Sequence, residues 1–582
     1  MNIPLKQYWT LLARYLSTQK PRVLALAALL FGGIALQLVN PQIMRRFIDS
    51  AMAGAPRSGL YALALLFIGL ALVQQVVAVG ATYFSENVGW TATNGLRADL
   101  AEHCLGLDMT FHNTHTPGEM IERLEGDVTA LSNFFSQFVI QVFGNLLLML
   151  GVLVLLFRED WRVGLALAVF ATICLALLAR LRGIAVKHWT ASREAHANMY
   201  GFLEERLAGT EDIRASGAKA YVMRRFYELM RDVMRKETKA GVMAGIMVNS
   251  GEVVFAIGTA AAFAVGAYVF QLGLVTIGTV YLIFNYTMML IWPMQRISQQ
   301  LQNLQQAGAG IVRIQELLAQ QPVVRDGAGA ALRPGALSVR FEDVSFSYPD
   351  DDEPVLRRLS FELQPGKVLG LLGRTGSGKT TITRLLFRLY DATSGSIRLD
   401  GADVRDVHLA DLRQRAGMVT QNVQLFHASL RDNLTFFDPA VPDEHIVEVI
   451  DQLGLGEWYR ALPKGLDTEI ESGGSGLSTG EGQLVAFTRI FLRDPGLVIL
   501  DEASSRLDPA TERLIERAVD KLLKERTGMV IAHRLATVQR ADQIMIVDDG
   551  EIVELGEREA LLADSESRFS GLIRTGLEEV LA

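Results

Sequence analysis

Six apolar segments, each near the length that crosses a bilayer, fill the first half of the chain at roughly 22–48, 58–84, 134–157, 162–182, 243–270 and 274–295. A helix needs about 20 consecutive apolar residues to span the hydrocarbon core, and no backbone polar group can be left unpaired there. Residues 1–320 are therefore expected to form a membrane α-helical bundle of six transmembrane helices. Half of all residues are hydrophobic, and they are concentrated in this region.

An even number of spans returns the chain to the side on which it began. Lys6, Arg14, Lys20, Arg22, Arg97, Arg123 and a dense basic run from Arg180 to Lys239 lie in the N-terminal arm and the two long connections. The short connections carry only Arg45, Arg46, Arg57, Arg158 and Arg162. Basic residues favour the cytoplasmic side, so both termini are expected inside. A cleavable leader is the rival reading of the first span, because Ala51-Met52-Ala53 mimics a cleavage site. The charged stretch Met44–Asp49 separates that site from an apolar run too long for a leader, so the span is expected to be retained.

Helical periodicity continues through the charged sequence of both long connections, about 85–133 and 180–242, so the helices should extend out of the membrane. Thr116-Pro117-Gly118 and the stretch Gly209 to Gly217 break them midway, which predicts paired helices joined by short transverse tips. Polar residues inside the spans are few. Gln137, Gln141 and Asn145 repeat at i, i+4, i+8 and form one stripe, for which interhelical hydrogen bonding is the favoured reading. Glu252 is a candidate for a transport pathway, since a carboxylate at that depth needs water or a paired base. Met243, Met247, Met288 and Met289 suit either packing, the favoured reading, or adaptable substrate contacts. Cys104 and Cys174 lack metal or redox spacing and read as packing residues.

After residue 320 the composition changes. Residues 321–336 are rich in Gly, Ala and Pro and read as a linker; residues 337–582 should form an α/β domain. Within it an apolar strand, Lys367-Val-Leu-Gly-Leu-Leu-Gly373, runs into a glycine-rich loop and then a helix. Gly373, Gly378, Lys379 and Thr380 satisfy G-x-x-x-x-G-K-[ST]. The glycines let backbone N–H groups wrap phosphates, Lys379 neutralises their oxygens, and Thr380 offers a hydroxyl to Mg²⁺. The expected ATP-contacting set is Gly373, Thr375, Gly376, Ser377, Gly378, Lys379, Thr380 and Thr381. Downstream, Leu497–Leu500 delivers Asp501 and Glu502 at a strand end. Asp501 suits Mg²⁺ through water, and Glu502 suits polarisation of an attacking water. His533 follows another apolar strand and could donate to a γ-phosphate. A net charge of −8 leaves no basic footprint, which argues against nucleic acid as a partner.

Together these features, over nearly the whole chain, resemble a half-unit of the ABC transporters of exporter fold (type IV). That resemblance implies ATP hydrolysis coupled to transport of a small molecule, lipid or peptide by alternating access, with ATP and Mg²⁺ as cofactors. It matches Tyr348 with an aromatic stacking on adenine, and Gln421 with a catalytic, Mg²⁺-contacting glutamine. It matches the segment ending at Asp508 with a loop communicating across a dimer, and the tips near 110–118 and 208–217 with coupling helices. Export is the direction it favours. Import of a metal-siderophore substrate, and an ATP-gated channel or sensor, are the alternatives. The layout resembles bacterial plasma (inner) membrane proteins.

In this family each ATP lies between one subunit's phosphate loop and its partner's LSGGQ signature. Here that signature reads Leu477-Ser-Thr-Gly-Glu-Gly-Gln483. Ser478 and Gly480 are kept to face the partner's nucleotide, whereas Thr479 replaces a glycine and Glu481 a glutamine. Bulk and negative charge there would weaken a phosphate site. A heterodimer with a second half-transporter is thus favoured over a homodimer that tolerates both changes.

Overall fold

The structure, a computed structural model, describes residues 13–137, 142–349, 351, 353–420, 423–471, 477–501, 509–532 and 538–575. Two compact units form. One comprises the chain up to Leu105 together with Pro117–Gln320; the other comprises Gly106–Thr116 together with the chain from Gln321 onward.

Long helices build the first unit, because its apolar runs satisfy their own backbone and continue through helix-periodic charged sequence, and the isolated prolines inside them, Pro41 and Pro293, do not end them. They are α1 (Lys20–Met52), α2 (Arg57–Gly106), α4 (Val128–Gln137), α5 (Asn145–Glu159), α6 (Trp161–Ala208), α8 (Lys219–Gln271) and α9 (Ile277–Ala319); α3 (Met109–Thr114) and α7 (Thr210–Ala215) are short. At 50 residues α2 runs for about 75 Å, far beyond the roughly 30 Å of hydrocarbon. Its excess length carries the chain out of the membrane, and α6 and α8 do the same. Among the described residues five helical stretches are long and apolar enough to span, and Trp161–Leu177 supplies a shorter apolar stretch where the fourth span is expected. The third expected span is divided between α4 and α5, with residues 138–141 outside the described set.

Leu148, Val152 and Leu156 of α5 pack with Leu167 and Cys174 of α6, Phe255 of α8, and Leu282, Tyr286 and Leu290 of α9. Cys174 is a buried packing residue, as is Cys104. Polar contacts tie the ends of three helices. Arg45 of α1 pairs with Glu159 of α5 at 2.5 Å, while Asp49 accepts from the Gly278 N–H and the Thr276 hydroxyl, each at 2.9 Å. Beside the π-helical turn Glu122–Asp127, the Asp127 carboxylate is only 2% exposed and takes both arms of the Arg313 guanidinium.

The second unit is built on two larger sheets, beside a short antiparallel ladder of Ala428–Ser429 with Glu469–Ile470. In the first, β1 (Val339–Phe346), β2 (Leu356–Leu363), β4 (Ser394–Leu399) and β5 (Ala402–Asp403) pair antiparallel in the order β2-β1-β4-β5. The larger sheet has β3 (Val368–Leu372), β6 (Ala416–Val419), β7 (Leu497–Asp501), β8 (Thr527–Ile531), β9 (Gln543–Asp548) and β10 (Glu551–Glu557). Their order is β10-β9-β3-β8-β7-β6, parallel throughout except for the β9–β10 edge. Every residue of β3 and β8 is buried, as expected of parallel strands covered on both faces.

Gly106–Thr116, which overlaps the tip expected near 110–118 in the membrane half, belongs to this second unit. Asp108 caps α3 by accepting from the Thr110 and Phe111 N–H groups, at 3.0 and 3.4 Å. Its other oxygen accepts from the backbone N–H groups of Val323 and Val324. Met109 packs on the apolar core shared by β1 and β3, and the Asn113 amide donates to the Tyr390 hydroxyl.

Candidate nucleotide-binding site

Strand β3 ends at Leu372, and α10 (Lys379–Leu386) begins seven residues later. The loop between them turns through Gly373, Gly376 and Gly378 at φ +147°, +86° and +102°. At Gly373 a Cβ would lie 2.1 Å from the Val547 carbonyl oxygen, so only glycine fits. Gly376 faces open space, with nothing within 4 Å of a Cβ there. The loop is thus closed on its sheet side and open where a ligand would approach.

Lys379 is 6% exposed, and its Nζ donates to the Gly373 and Arg374 carbonyls at 2.7 Å each. Burial pushes its pKa down, and the nearby Asp501 carboxylate opposes that shift. An ammonium held in a glycine cradle at the N-terminus of a helix suits a polyphosphate. Asp501 ends β7 and pairs with Ile531 of β8, the strand next to β3, so the carboxylate and the loop share the C-terminal edge of the parallel sheet. These residues fit ATP, and the exposed Thr380 with Asp501 fits a hydrated Mg²⁺.

Thr381 points elsewhere. It is 5% exposed, and its hydroxyl lies 3.1 Å from the Tyr348 hydroxyl, which also accepts from Arg384 at 3.1 Å. Tyr348 stands edge-on to Phe346 and Tyr390, with centroids 4.9 and 5.3 Å away. The contact set therefore splits: Thr381 and Arg384 hold the aromatic, while Ser377, at 3% exposure, and Lys379 form the loop's interior. Gln421, Glu502, His533 and Asp508 lie outside the described residues.

Ser478 is the N-cap of α11 (Thr479–Arg493), and its Oγ accepts from the Glu481 N–H at 3.2 Å. Glu481 closes the capping box: Oε2 accepts from the Ser478 N–H at 2.7 Å, and Oε1 accepts from the Trp458 indole at 3.1 Å. Both carboxylate oxygens therefore have donors inside their own domain. The expectation of a carboxylate turned toward phosphate changes accordingly, because the helix-start amides and the indole hold it at the cap. Gly480 is buried and Thr479 exposed.

Sequence reasoning missed Arg489. It is 7% exposed, donates to the Gln424 and Asn433 carbonyls, and sits 4.6 Å from the Phe436 ring centroid. Burial lowers its pKa to about 10, with Arg493 adding to the shift. It fastens α11 to the segment following Gln421. An arginine ten residues into a helix gives no sequence signal that separates such a strut from a solvated face. Trp458 and Asp108 were missed for the same reason.

In the membrane unit Asn145, Asn285 and Met289 line one cavity, whereas Glu252 lies on an exposed face of α8 and is not part of it. Gln137 and Gln141 carry no described side chains.

A membrane bundle and a phosphate-loop domain in one chain define an ATP-hydrolysing membrane transporter. Residues 23–294 match the family model described as ABC transporter transmembrane region, and residues 356–505 match the model described as ABC transporter. An uncharacterized ABC transporter ATP-binding protein of Bacillus subtilis, YknV, is 32% identical over 98% of this chain and 94% of its own length. The chain belongs to the ABC transporters. It is also 29% identical to an ATP-dependent lipid A-core flippase of Idiomarina loihiensis, over 95% of each chain. A bacterial Atm1-family ABC exporter solved with ATP bound shares the fold, with TM-score 0.80 at 24% identity over 96% of this chain and 98% of that one. The protein is accordingly a multi-pass membrane transporter of this family that hydrolyses ATP.

Proposed function

We propose that this chain is one half of a dimeric pump that moves an amphipathic substrate out of a bacterial inner membrane, with both termini cytoplasmic. The observation that carries the reading is the phosphate loop itself: a glycine cradle with the buried Lys379 ammonium inside it and Asp501 on the same sheet edge. Bound ATP with Mg²⁺ supplies the phosphoanhydride whose hydrolysis drives the cycle. Tyr348 flanks the base, the loop amides and Lys379 hold the phosphates, and Thr380, Gln421 and Asp501 take the metal. Glu502 orients water and His533 donates to the transferred group. Ser478 and Gly480 complete the partner subunit's site. Thr479, exposed at a helix start where the family has glycine, favours a partner of different sequence. An amphipathic lipid is the proposed substrate class, supported by the lipid A-core flippase among the relatives.

The test is ATP hydrolysis by the chain purified alone in lipid, with Glu502→Gln as control and oligomeric state measured in the same sample. ATP bound but scarcely turned over supports a heterodimer. Robust turnover by a homodimer, abolished in Glu502→Gln, overturns that part. No ATP binding overturns the whole reading.

A further inference from the structure

A cavity of about 490 Å³ opens among α1, α2, α5 and α9. It falls in the size range of roughly 300–1,000 Å³ typical of ligand sites. Its residues lie within their spans, Gln74 and Asn285 near the middle and Met44, Trp292 and Pro293 nearer an end, yet five of its side chains are carboxamides: Gln37 and Asn40 from α1, Gln74 from α2, Asn145 from α5 and Asn285 from α9. Two prolines add to this polarity. Pro41 sits inside α1 and Pro293 inside α9, and both line the cavity. Proline has no N–H, so Pro41 deprives the Gln37 carbonyl of its helical donor, and Pro293 does the same for Met289. Gln37 and Met289 line the same cavity. The Asn40 Oδ1 atom is buried and has no hydrogen-bond partner.

One orphaned amide oxygen, and two carbonyls that proline deprives of their helical donors, thus belong to residues lining one space in an apolar bundle, where an unmet polar group is costly. Among the described residues, no Asp, Glu, Lys, Arg or His lines it. Arg45, one residue beyond Met44 of the lining, is already paired with Glu159 and Asp49. Phe67, Tyr281 and Trp292 supply flat apolar walls. An anionic head brings only acceptors and finds no cation among the described lining residues. An ammonium finds no carboxylate among them, and a charge within the span without a counter-ion is unfavourable. A neutral group bearing O–H or N–H donors meets the amides and carbonyls directly, and its C–H faces meet the rings.

We infer that this cavity is a recognition subsite for an uncharged, hydrogen-bond-donating head group of the substrate, of hydroxyl or amide chemistry. The inference rests on the export reading above and specifies its substrate. It is tested by native mass spectrometry of the full-length chain titrated with four amphiphiles of matched acyl length: a monoglucosyl diacylglycerol, an acylated dipeptide amide, phosphatidylglycerol and a cationic trimethylammonium lipid. At least one neutral probe is expected to bind about tenfold more tightly than either charged lipid, the advantage expected of one or two well-made hydrogen bonds. The glucosyl and peptide arms separate hydroxyl from amide. The preference should collapse in Asn40→Leu and Asn285→Leu. Equal or tighter binding of a charged lipid overturns the inference, as does failure of both neutral probes to bind or a preference that survives in both variants. Should the variants fail to fold, the wild-type ranking alone decides. ATP hydrolysis by the same preparation, with its Glu502→Gln control, reports on the export reading whichever head group binds.

Discussion

The Ser478 and Glu481 side chains each accept the other's backbone N–H, at 3.2 and 2.7 Å, and so close a reciprocal cap on the helix that carries the signature sequence. This pair explains why a carboxylate stands in the motif. The four N–H groups that begin a helix need acceptors, and a carboxylate three residues after a serine meets that need and the helix dipole together. The Trp458 indole occupies the remaining oxygen.

Glu481→Ala is expected to destabilise the ATP-binding unit by about 1 kcal/mol, the usual cost of a lost cap, with a lower melting temperature as the readout. Glu481→Gln keeps an oxygen acceptor and should cost less than half as much, with ATP hydrolysis within about twofold of the parent. A Gln variant that hydrolyses ATP many times faster would show that the charge, although capped, still opposes nucleotide.

Lys379 is held below the ordinary lysine range by burial, so its proton is lost earlier as pH rises. The protonated form is the one that neutralises phosphate. ATP affinity should therefore fall on raising the pH, beginning below the pH at which a free lysine titrates. Lys379→Arg, whose guanidinium stays charged, should flatten that profile while weakening binding through its different shape. Equilibrium titrations with a fluorescent ATP analogue at successive pH values check both.

Asp108 serves two sets of donors, the start of α3 and the Val323 and Val324 amides. Asp108→Ala should cost about 1–2 kcal/mol and release α3 from the segment after Gln320. ATP hydrolysis is expected to persist while substrate-stimulated hydrolysis declines, measured side by side in reconstituted vesicles. Asp108→Asn, which keeps one acceptor, should restore part of the stimulation.

Arg313→Met leaves the 2%-exposed Asp127 carboxylate without its guanidinium. A fully buried pair broken in this way costs about 3–5 kcal/mol, and the half-exposed arginine here puts the expected loss near 2 kcal/mol. The double variant Asp127→Asn with Arg313→Met should recover most of it, because the stranded charge is gone. Thermal unfolding of the three variants in detergent distinguishes this from simple loss of packing.

Much of the molecule was legible before any tertiary information. Span length, the order of breaks at Thr116–Gly118 and Gly209–Gly217, and the glycine–lysine spacing from Gly373 to Thr380 each follow from a local rule. A membrane helix must satisfy its own backbone, and a phosphate loop is built from consecutive residues, so one stretch of chain carries the whole signal. The assignment of Gly106–Thr116 was not legible, because it turns on Asn113 meeting Tyr390, far away in sequence. The acceptor for the Trp458 indole was equally hidden, and so was the destination of the Thr381 hydroxyl.

What the sequence determined by itself is a chain of bilayer-spanning helices joined to a phosphate-binding α/β domain, since both rest on periodicity and spacing along the backbone. Only the tertiary structure decided that Gln37, Asn40, Gln74, Asn145 and Asn285 share one cavity, and that the Trp458 indole meets the capping carboxylate of Glu481. An amide in a helix reads the same whether it faces lipid, a neighbour or a void. Its partner lies on another helix, and packing alone brings the two together.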